Sequence, residues 1–190
     1  KCGGVIGYIR NGNIDNCQAH GISVTSSGSY FSEEEERHGY CGGIVGGSKK
    51  GIIQNCSCYG AENDGTGTSS TITGMGAAGG ISGYVGLENS EPGTSAIIEC
   101  YVSNTIITSS GENAGGIVGK CYANSSIKGF TSAQQDYPCV KGTGEYGGQG
   151  PVTITGVSRV GGIVGHLVGN IIGTKYSDTG YIPLAKYVCF

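Results

Sequence analysis

The stretch that decides the fold is residues 40–60, YCGGIVGGSKKGIIQNCSCYG, because its frame recurs along the 190-residue chain. Two glycines precede an aliphatic pair and a third glycine, and a short aliphatic segment that ends in Asn-Cys follows. The stretch contains no acid and no histidine, so the repeated frame offers few groups for catalysis. It indicates a repeated structural unit.

Five copies of the Gly-Gly frame can be aligned, and their first glycines are 39, 37, 36 and 46 residues apart. The first glycines of the copies are Gly3, Gly42, Gly79, Gly115 and Gly161. We expect loops to absorb this variation in spacing. The chain is therefore predicted to be a single repeat domain, 1–190, with copies at approximately 2–40, 41–77, 78–113, 114–159 and 160–190.

The local pattern predicts strands. The apolar segments are short, rich in β-branched residues and bounded by Gly, Asn and Ser, and no amphipathic helical period is present. A third and weaker strand is predicted at 21–26, 69–74, 104–109 and 151–156. Each copy then forms one coil with two or three strands. Five coils stack into an all-β, glycine-rich parallel β-solenoid stapled by disulfides.

Stacking gives the aligned positions a physical meaning, because equivalent residues of adjacent coils lie about 4.8 Å apart. The predicted core ladder is the first aliphatic column: Val5, Ile44, Ile81, Ile117 and Ile163. The next column, which contains Ile6 and Val45, is expected on the opposite face of the strand, where loops or a second subunit would cover it. We interpret the glycines as corner and packing positions, since they occur in every copy.

Nine cysteines favour a disulfide framework outside a reducing cytosol, and their odd number leaves one thiol free or bridged to another chain. A column separation of about 4.8 Å suits a disulfide, so Cys2 is predicted to pair with Cys41, and Cys17 with Cys56. Cys100 continues the second column and competes for Cys56. The alternative is that columnar cysteines are small buried hydrophobes.

The frame Gly-Gly-Ile-Val-Gly, followed by a variable loop and Ile-x-Asn-Cys-x-x-x-Gly, resembles the GLUG repeat of bacterial and protist cell-surface proteins. All five copies match its Gly-Gly core, although the repeats here are longer and richer in cysteine. The resemblance implies an extracellular β-solenoid used for display, adhesion or as a spacer, with no catalytic residues to carry over.

The remaining motifs give little sign of an enzyme. The chain has no clustered aspartates, no H-E-x-x-H, no G-x-S-x-G and no P-loop pattern, so we predict no catalytic residue, metal site or cofactor. Only 13% of the residues are charged, which does not point to nucleic acid, and no apolar run is long enough to span a membrane. Threonine-rich stretches suggest an ice-binding face, but we do not expect these threonines to lie in register on consecutive coils.

Two sequons predict N-glycosylation at Asn124, in an expected loop, and less readily at Asn55, beside a core column. The first Gly-Gly frame begins at residue 3 without a polar cap, and the last coil ends in an apolar segment that contains Cys189. Uncapped solenoid ends expose unpaired backbone groups and core residues, which favours pairing with another chain. We therefore predict self-association into a filament, stalk or surface adhesin, with Cys189 as a candidate intermolecular bridge and surface glycans or a host receptor as further partners. The alternative function is a carbohydrate-binding or polysaccharide-processing β-helix protein.

Overall fold

The computed structural model describes residues 1–28, 39–61, 68–86, 95–129, 140–141 and 150–172, together with the short strands at 174–176, 180–182 and 185–186. For residue 141 and from residue 170 onward, the description covers the backbone alone. The described residues contain strands and turns and no helix, which confirms the prediction of an all-β chain. It follows that no described helix has the length and hydropathy that a membrane crossing requires.

The strands are short, and each copy of the frame contributes four to six of them. The first two copies give β1 (Cys2–Gly3), β2 (Ile14–Asp15), β3 (Gln18–His20), β4 (Ser23–Ser26), β5 (Tyr40–Gly42), β6 (Ile52–Gln54), β7 (Ser57–Tyr59) and β8 (Ser70–Gly74). The third copy gives β9 (Ala77–Gly79), β10 (Ser82–Val85), β11 (Ser95–Ile98), β12 (Tyr101–Ser103) and β13 (Thr105–Ser109). The fourth gives β14 (Asn113–Gly115), β15 (Val118–Cys121), β16 (Ser125–Lys128), β17 (Val140–Lys141) and β18 (Val152–Gly156). The fifth gives β19 (Arg159–Gly161), β20 (Val164–Leu167), β21 (Asn170–Ile172), β22 (Thr174–Tyr176), β23 (Gly180–Ile182) and β24 (Ala185–Lys186). The expectation of two or three strands per copy was therefore too low, because each copy bends at more corners than its sequence pattern reveals.

Apart from β22 and β23 of the fifth copy, the described strands pair between copies rather than within them. The sheet orders are β1-β5-β9-β14-β19, β2-β6-β11-β16-β21, β3-β7-β12-β17-β24, β4-β8-β13-β18 and β10-β15-β20. Every pair in these five sheets is parallel, and the described antiparallel pair is β22 with β23. Each sheet thus takes one strand from each successive copy, in chain order.

The register agrees with the alignment of the Gly-Gly frames. In the first sheet, Gly3 pairs with Gly42, Gly42 with Gly79, Gly79 with Gly115, and Gly115 with Gly161. The aliphatic residues of the second sheet pair in the same way, from Ile14 through Ile53, Ile97 and Ile127 to Ile171. Identical sequence positions therefore become neighbours in space, and the buried aliphatic residues merge into one core cluster that runs through the copies.

Candidate functional site

The residues of the predicted core ladder are joined by backbone hydrogen bonds as well as by packing. The carbonyl oxygen of Ile81 accepts the N–H of Ile44 at 3.0 Å and the N–H of Val45 at 2.9 Å. The carbonyl of Ile117 accepts the two equivalent N–H groups of the third copy in the same way. Ile44, Ile81 and Ile117 are fully buried. One carbonyl per copy thus fixes the position of the preceding copy at this corner.

The terminal members of the ladder differ from the inner three. Val5 is 44% exposed and Ile163 is partly buried. The prediction that Val5 is a core residue is therefore wrong for this structure. Within the described part of the chain, its copy is paired on one side only, whereas each inner copy is paired on both sides.

The second aliphatic column does not lie on the opposite face. Val45 and Val118 are fully buried and belong to the same core cluster as Ile44 and Ile117. Strand β5 ends at Gly42, and parallel pairing resumes only at Val45. The alternation of side chains holds only within a continuous strand. The backbone bends between the two glycines and the valine, so both aliphatic residues point inward.

The glycines of the frame are required by close backbone contacts. A Cβ on Gly80 would collide with the carbonyl oxygen of Gly116 and lie 2.6 and 2.8 Å from the methyl groups of Val102. Gly43 has the same relation to the carbonyl of Gly80, and a Cβ on it would lie 2.8 Å from the Cβ of Cys58. These contacts support the interpretation of the glycines as packing positions.

A second role for glycine is to seat an aromatic ring. A Cβ on Gly47 would collide with the Cε1 edge of the Tyr84 ring. Tyr84 packs between Tyr40 and Tyr122, with ring centroids 4.5 and 5.9 Å away, and all three tyrosines are buried. The hydroxyl groups of Tyr40 and Tyr122 are 3.3 Å apart. This cluster was not predicted, although a tyrosine lies shortly before or after each of the first four glycine frames.

The first cysteine column has the predicted register. Cys2 pairs with Cys41 between neighbouring parallel strands, and the next residues in this column are Ala78 and Ala114. Cys41 is fully buried, and its thiol donates a hydrogen bond to the carbonyl of Val24 at 3.3 Å. None of the seven cysteines in the described part of the chain forms a disulfide. The column therefore brings the predicted partners together without a bond between them.

The second column, Cys17, Cys56 and Cys100, lies at a corner of the stack. The N–H of Cys17 donates to the Sγ of Cys56 at 3.5 Å, and the N–H of Cys56 donates to the Sγ of Cys100 at 3.4 Å. Cys56 and Cys100 are buried, whereas Cys17 is partly exposed. No disulfide joins these three cysteines in the structure, so the predicted Cys17–Cys56 bond is absent. The predicted pair and its predicted competitor are thus consecutive members of one column.

Two further cysteines occupy apolar columns, as the alternative interpretation of cysteines as small hydrophobes expects. Cys58 takes the register position of Ala19 and Val102, and burial raises the pKa of its thiol to about 12. Cys121 lies between Val85 and Leu167, and burial raises the pKa of its thiol to about 11. Cys139 and Cys189 lie outside the described residues.

Both sequon asparagines lie on the surface with a left-handed backbone. Asn124 is exposed, with φ of 60°, in the turn after β15. Asn55 is also exposed, with φ of 52°, and its Nδ2 donates to the Oδ1 of Asp15 at 2.9 Å. The side chain of Asn55 therefore points outward despite its position beside the buried Cys56. Glycosylation of either residue remains a prediction.

The threonines of the β4-β8-β13-β18 sheet correct one sequence-based expectation. Thr25 pairs with Thr73, Thr73 with Thr108, and Thr108 with Thr155. Each of them is at least partly exposed. The expectation that threonines of consecutive copies lie out of register was wrong, because loops of unequal length hide the alignment in the sequence.

Aromatic side chains also meet on the outer side of the β3-β7-β12-β17-β24 sheet. The rings of Tyr59 and Tyr101 are stacked at 6.2 Å with an interplanar angle of 12°. His20 meets Tyr59 edge to face at 4.8 Å, and the Tyr59 hydroxyl donates to the Oε1 of Gln18 at 3.1 Å. No sequence motif predicted this grouping, apart from the alignment of the strand ends.

Exposed apolar side chains concentrate at the two ends of the stack. Large exposed hydrophobic residues in or beside the first and fifth copies are Val5, Ile6, Tyr8, Val157, Val160, Leu167 and Val168. The other two in the described part of the chain are Met75 and Ile106. Among the described strands, β1 and β19 are also the outermost of their sheet, and each is paired on one side. We call these two regions the open ends.

Titratable groups do not gather into an evident reaction centre within the described residues. No group of three His, Cys, Asp or Glu side chains there is arranged to hold a metal ion. Burial lowers the pKa of His166, with Arg159 as the next cause, and a hydrogen bond from Asn55 lowers the pKa of Asp15.

Comparison with known proteins gives no relative for this chain. No protein-family model, curated protein or solved structure matches it.

Proposed function

We propose that this chain is a β-solenoid segment of an extracellular structural assembly, such as a filament, a stalk or an adhesin, that grows by stacking coils on its open ends. The observation that supports this proposal is the register. Each inner copy pairs along its backbone with both neighbours, while the outermost strands combine edges that no described strand pairs with exposed apolar side chains. Unpaired parallel edges with apolar surroundings are templates for further pairing. The next coil would come from a second copy or from further coils of the same polypeptide.

The proposed stacking continues the columns already present. Cys2 of an added first coil would follow Val160, and Val5 would follow Ile163, so the core ladder would pass from one stack to the next without a change of register. Val5 is 44% exposed in the free end, and Leu167 at the other end is 43% exposed. Burial of such side chains contributes about 25 cal/mol per Å² of apolar surface.

An extracellular setting is part of the proposal and rests on the cysteine columns. A disulfide between Cys2 and Cys41 would close a loop of 39 residues, for which chain entropy corresponds to about 4 kcal/mol. Such disulfides persist in oxidising compartments. The resemblance to GLUG repeats supports the same assignment, and glycans or a host receptor remain candidate partners of the assembled surface.

The experiment compares variants at the open ends with variants on the sides. Val5→Lys and Leu167→Lys place a charge on each end. Met75→Lys and Ile106→Lys place the same charge at side positions that are 38% and 41% exposed. Light scattering and negative-stain electron microscopy report the assembly state. We expect the parent chain and the side variants to form elongated oligomers and the end variants to remain monomeric. A monodisperse parent monomer at all concentrations, or equal behaviour of end and side variants, contradicts the proposal.

A carbohydrate-binding function is the second candidate, and one observation favours it. Tyr59 and Tyr101 present stacked rings beside the polar side chains of Gln18 and His20 on the outer side of a sheet. Aromatic faces combined with a few polar groups are typical of ligand sites. Titration with soluble polysaccharides tests it: Tyr59→Ala should abolish binding, whereas Tyr8→Ala, at the first open end, should leave it unchanged. Equal binding by both variants, or no binding by the parent chain, contradicts this candidate.

A further inference from the structure

Cys17, Cys56 and Cys100 form a continuous column of thiols, which we call the thiol column. Each of the three follows a residue whose φ lies between 52° and 55°, so the chain turns in the same way before every thiol. The strands on both sides of this corner are paired in register through the first three copies. Neighbouring members of the column are therefore held about 4.8 Å apart along the stack.

Hydrogen bonds orient the three sulfur atoms in the same direction. The thiols donate to the carbonyl oxygens of the residues two positions earlier, at 3.0 Å for Cys56, 3.3 Å for Cys100 and 3.6 Å for Cys17. The sulfur atoms of Cys56 and Cys100 each accept the N–H of the preceding member of the column. An N–H donor stabilises a thiolate and hence a sulfur nucleophile.

The spacing allows only one disulfide in the column at a time. Disulfides require Cα atoms between about 4.4 and 6.8 Å apart, which both neighbouring pairs satisfy. Cys17 and Cys100 are two strand spacings apart, or about 10 Å, which excludes a direct bond between them. Cys56 is thus shared by two mutually exclusive disulfides, and one outer thiol always remains.

The two outer thiols differ in exposure. Cys17 is partly exposed, whereas Cys56 and Cys100 are 0% and 1% exposed. A reagent from solvent therefore reaches Cys17 first. A hydrogen bond with the Cys100 side chain lowers the pKa of Cys56 and so favours a thiolate at the central position, whereas burial raises the pKa of Cys17.

We propose that the thiol column is a disulfide relay that takes an oxidising equivalent from a low-molecular-weight disulfide at Cys17 and passes it inward to Cys56 and Cys100. The Cys17 thiolate attacks the small disulfide, forms a mixed disulfide and releases one small thiolate. The Cys56 thiolate then attacks the Sγ of Cys17, forms the Cys17–Cys56 disulfide and releases the second small thiolate. The Cys100 thiolate attacks the Sγ of Cys56, forms the Cys56–Cys100 disulfide and releases Cys17 as a thiolate.

The overall reaction is balanced, because one small disulfide is reduced to two thiols while Cys56 and Cys100 are oxidised to one disulfide. A column is a favourable arrangement for the last step, since exchange places the attacking, central and leaving sulfur atoms in a row. The product disulfide is buried, and the exposed Cys17 is regenerated for another reaction or for a bond to a second chain.

The test uses the reduced chain and oxidised glutathione at pH 7.5, with timed alkylation and peptide mass spectrometry. We expect glutathione on Cys17 first, the Cys17–Cys56 disulfide next, and finally the Cys56–Cys100 disulfide with Cys17 again open to alkylation. Cys100→Ser and Cys100→Ala should stop the reaction at Cys17–Cys56. Cys17→Ser should slow formation of Cys56–Cys100 by at least about tenfold, because the buried thiols lose their exposed entry point.

Cys58→Ala is the matched control. Cys58 is buried in the neighbouring strand, and the first copy carries alanine, Ala19, at the same register position. It should leave all three rates unchanged, and circular dichroism confirms that each variant is folded. Unchanged oxidation of Cys17→Ser, a final disulfide that omits Cys100, or a Cys17–Cys100 bond overturns the relay. The reaction takes place within one chain, so its outcome is independent of end-to-end assembly.

Discussion

The substitution Gly80→Ala tests the reason for the recurring glycine pair. The new Cβ would overlap the carbonyl oxygen of Gly116 and lie 2.6 and 2.8 Å from the two methyl groups of Val102. The carbonyl belongs to a paired copy whose position is fixed by hydrogen bonds to Ile81 and Ser82, so it has little freedom to move away. Overpacking of a rigid interior costs about 1 to 3 kcal/mol, and we expect the upper end of that range, about 3 kcal/mol.

Gly28→Ala is the control because, apart from its neighbours in the chain, no atom of the described residues lies within 4 Å of its added Cβ. Neither glycine has a positive φ, so the backbone conformation admits alanine at both positions. At an open position, replacement of glycine by alanine stabilises a protein by about 0.4 to 1 kcal/mol, because it reduces the entropy of the unfolded chain. The two substitutions should therefore have opposite signs.

Thermal and urea unfolding followed by far-ultraviolet circular dichroism measure the difference. For a chain of this size, a loss of about 3 kcal/mol corresponds to a fall in Tm of about 6 to 12 °C. Gly28→Ala should leave Tm unchanged or raise it. If Gly80→Ala unfolds at the same temperature as Gly28→Ala, adjacent copies do not approach as closely as the structure shows, and the packing role of the glycine pair is wrong.

Three further predictions address the ladder, the corner and the buried thiols. Ile81→Ala should lower the free energy of unfolding, measured by urea titration, by about 4 kcal/mol, because the buried ladder residues on both sides cannot collapse into the cavity. Val5→Ala, at a position 44% exposed, should lower it by about 1 kcal/mol or less in the same titration. Glu99 has φ of 52° where the first two copies carry asparagine, so Glu99→Gly should raise stability by about 1 kcal/mol, and an unchanged or lower Tm would contradict this. Stability should fall as the pH rises from 9 towards 12. The buried thiols of Cys41, Cys58 and Cys121 keep their protons in the folded state, whereas the unfolded state loses them above the ordinary pKa of 9.0. Each thiol contributes up to about 1.4 kcal/mol per pH unit in this window, and triple replacement by alanine should flatten the loss measured by urea midpoints.

The second cysteine column shows how far sequence alignment reached into the candidate site. Counting residues from the first glycine of each copy placed Cys17 and Cys56 at the same position, and alignment of the aliphatic segments that follow the glycine frames identified Cys100 as a competitor. It could not show that Cys17 is the exposed member and that the other two are buried. Exposure depends on how many neighbouring copies and loops cover a position, and an alignment of the copies does not contain that information.

The sequence by itself determined the all-β class and the register of the glycine frames, because parallel stacking makes equal positions into neighbours. Only the tertiary structure decided where the backbone bends, and hence that Ile44 and Val45 both point into one core. It also decided the threonine register: Thr25, Thr73, Thr108 and Thr155 are 48, 35 and 47 residues apart, yet they pair directly. Backbone hydrogen bonds between strands set the spatial repeat, whereas the loops that connect the strands change their length without changing that repeat.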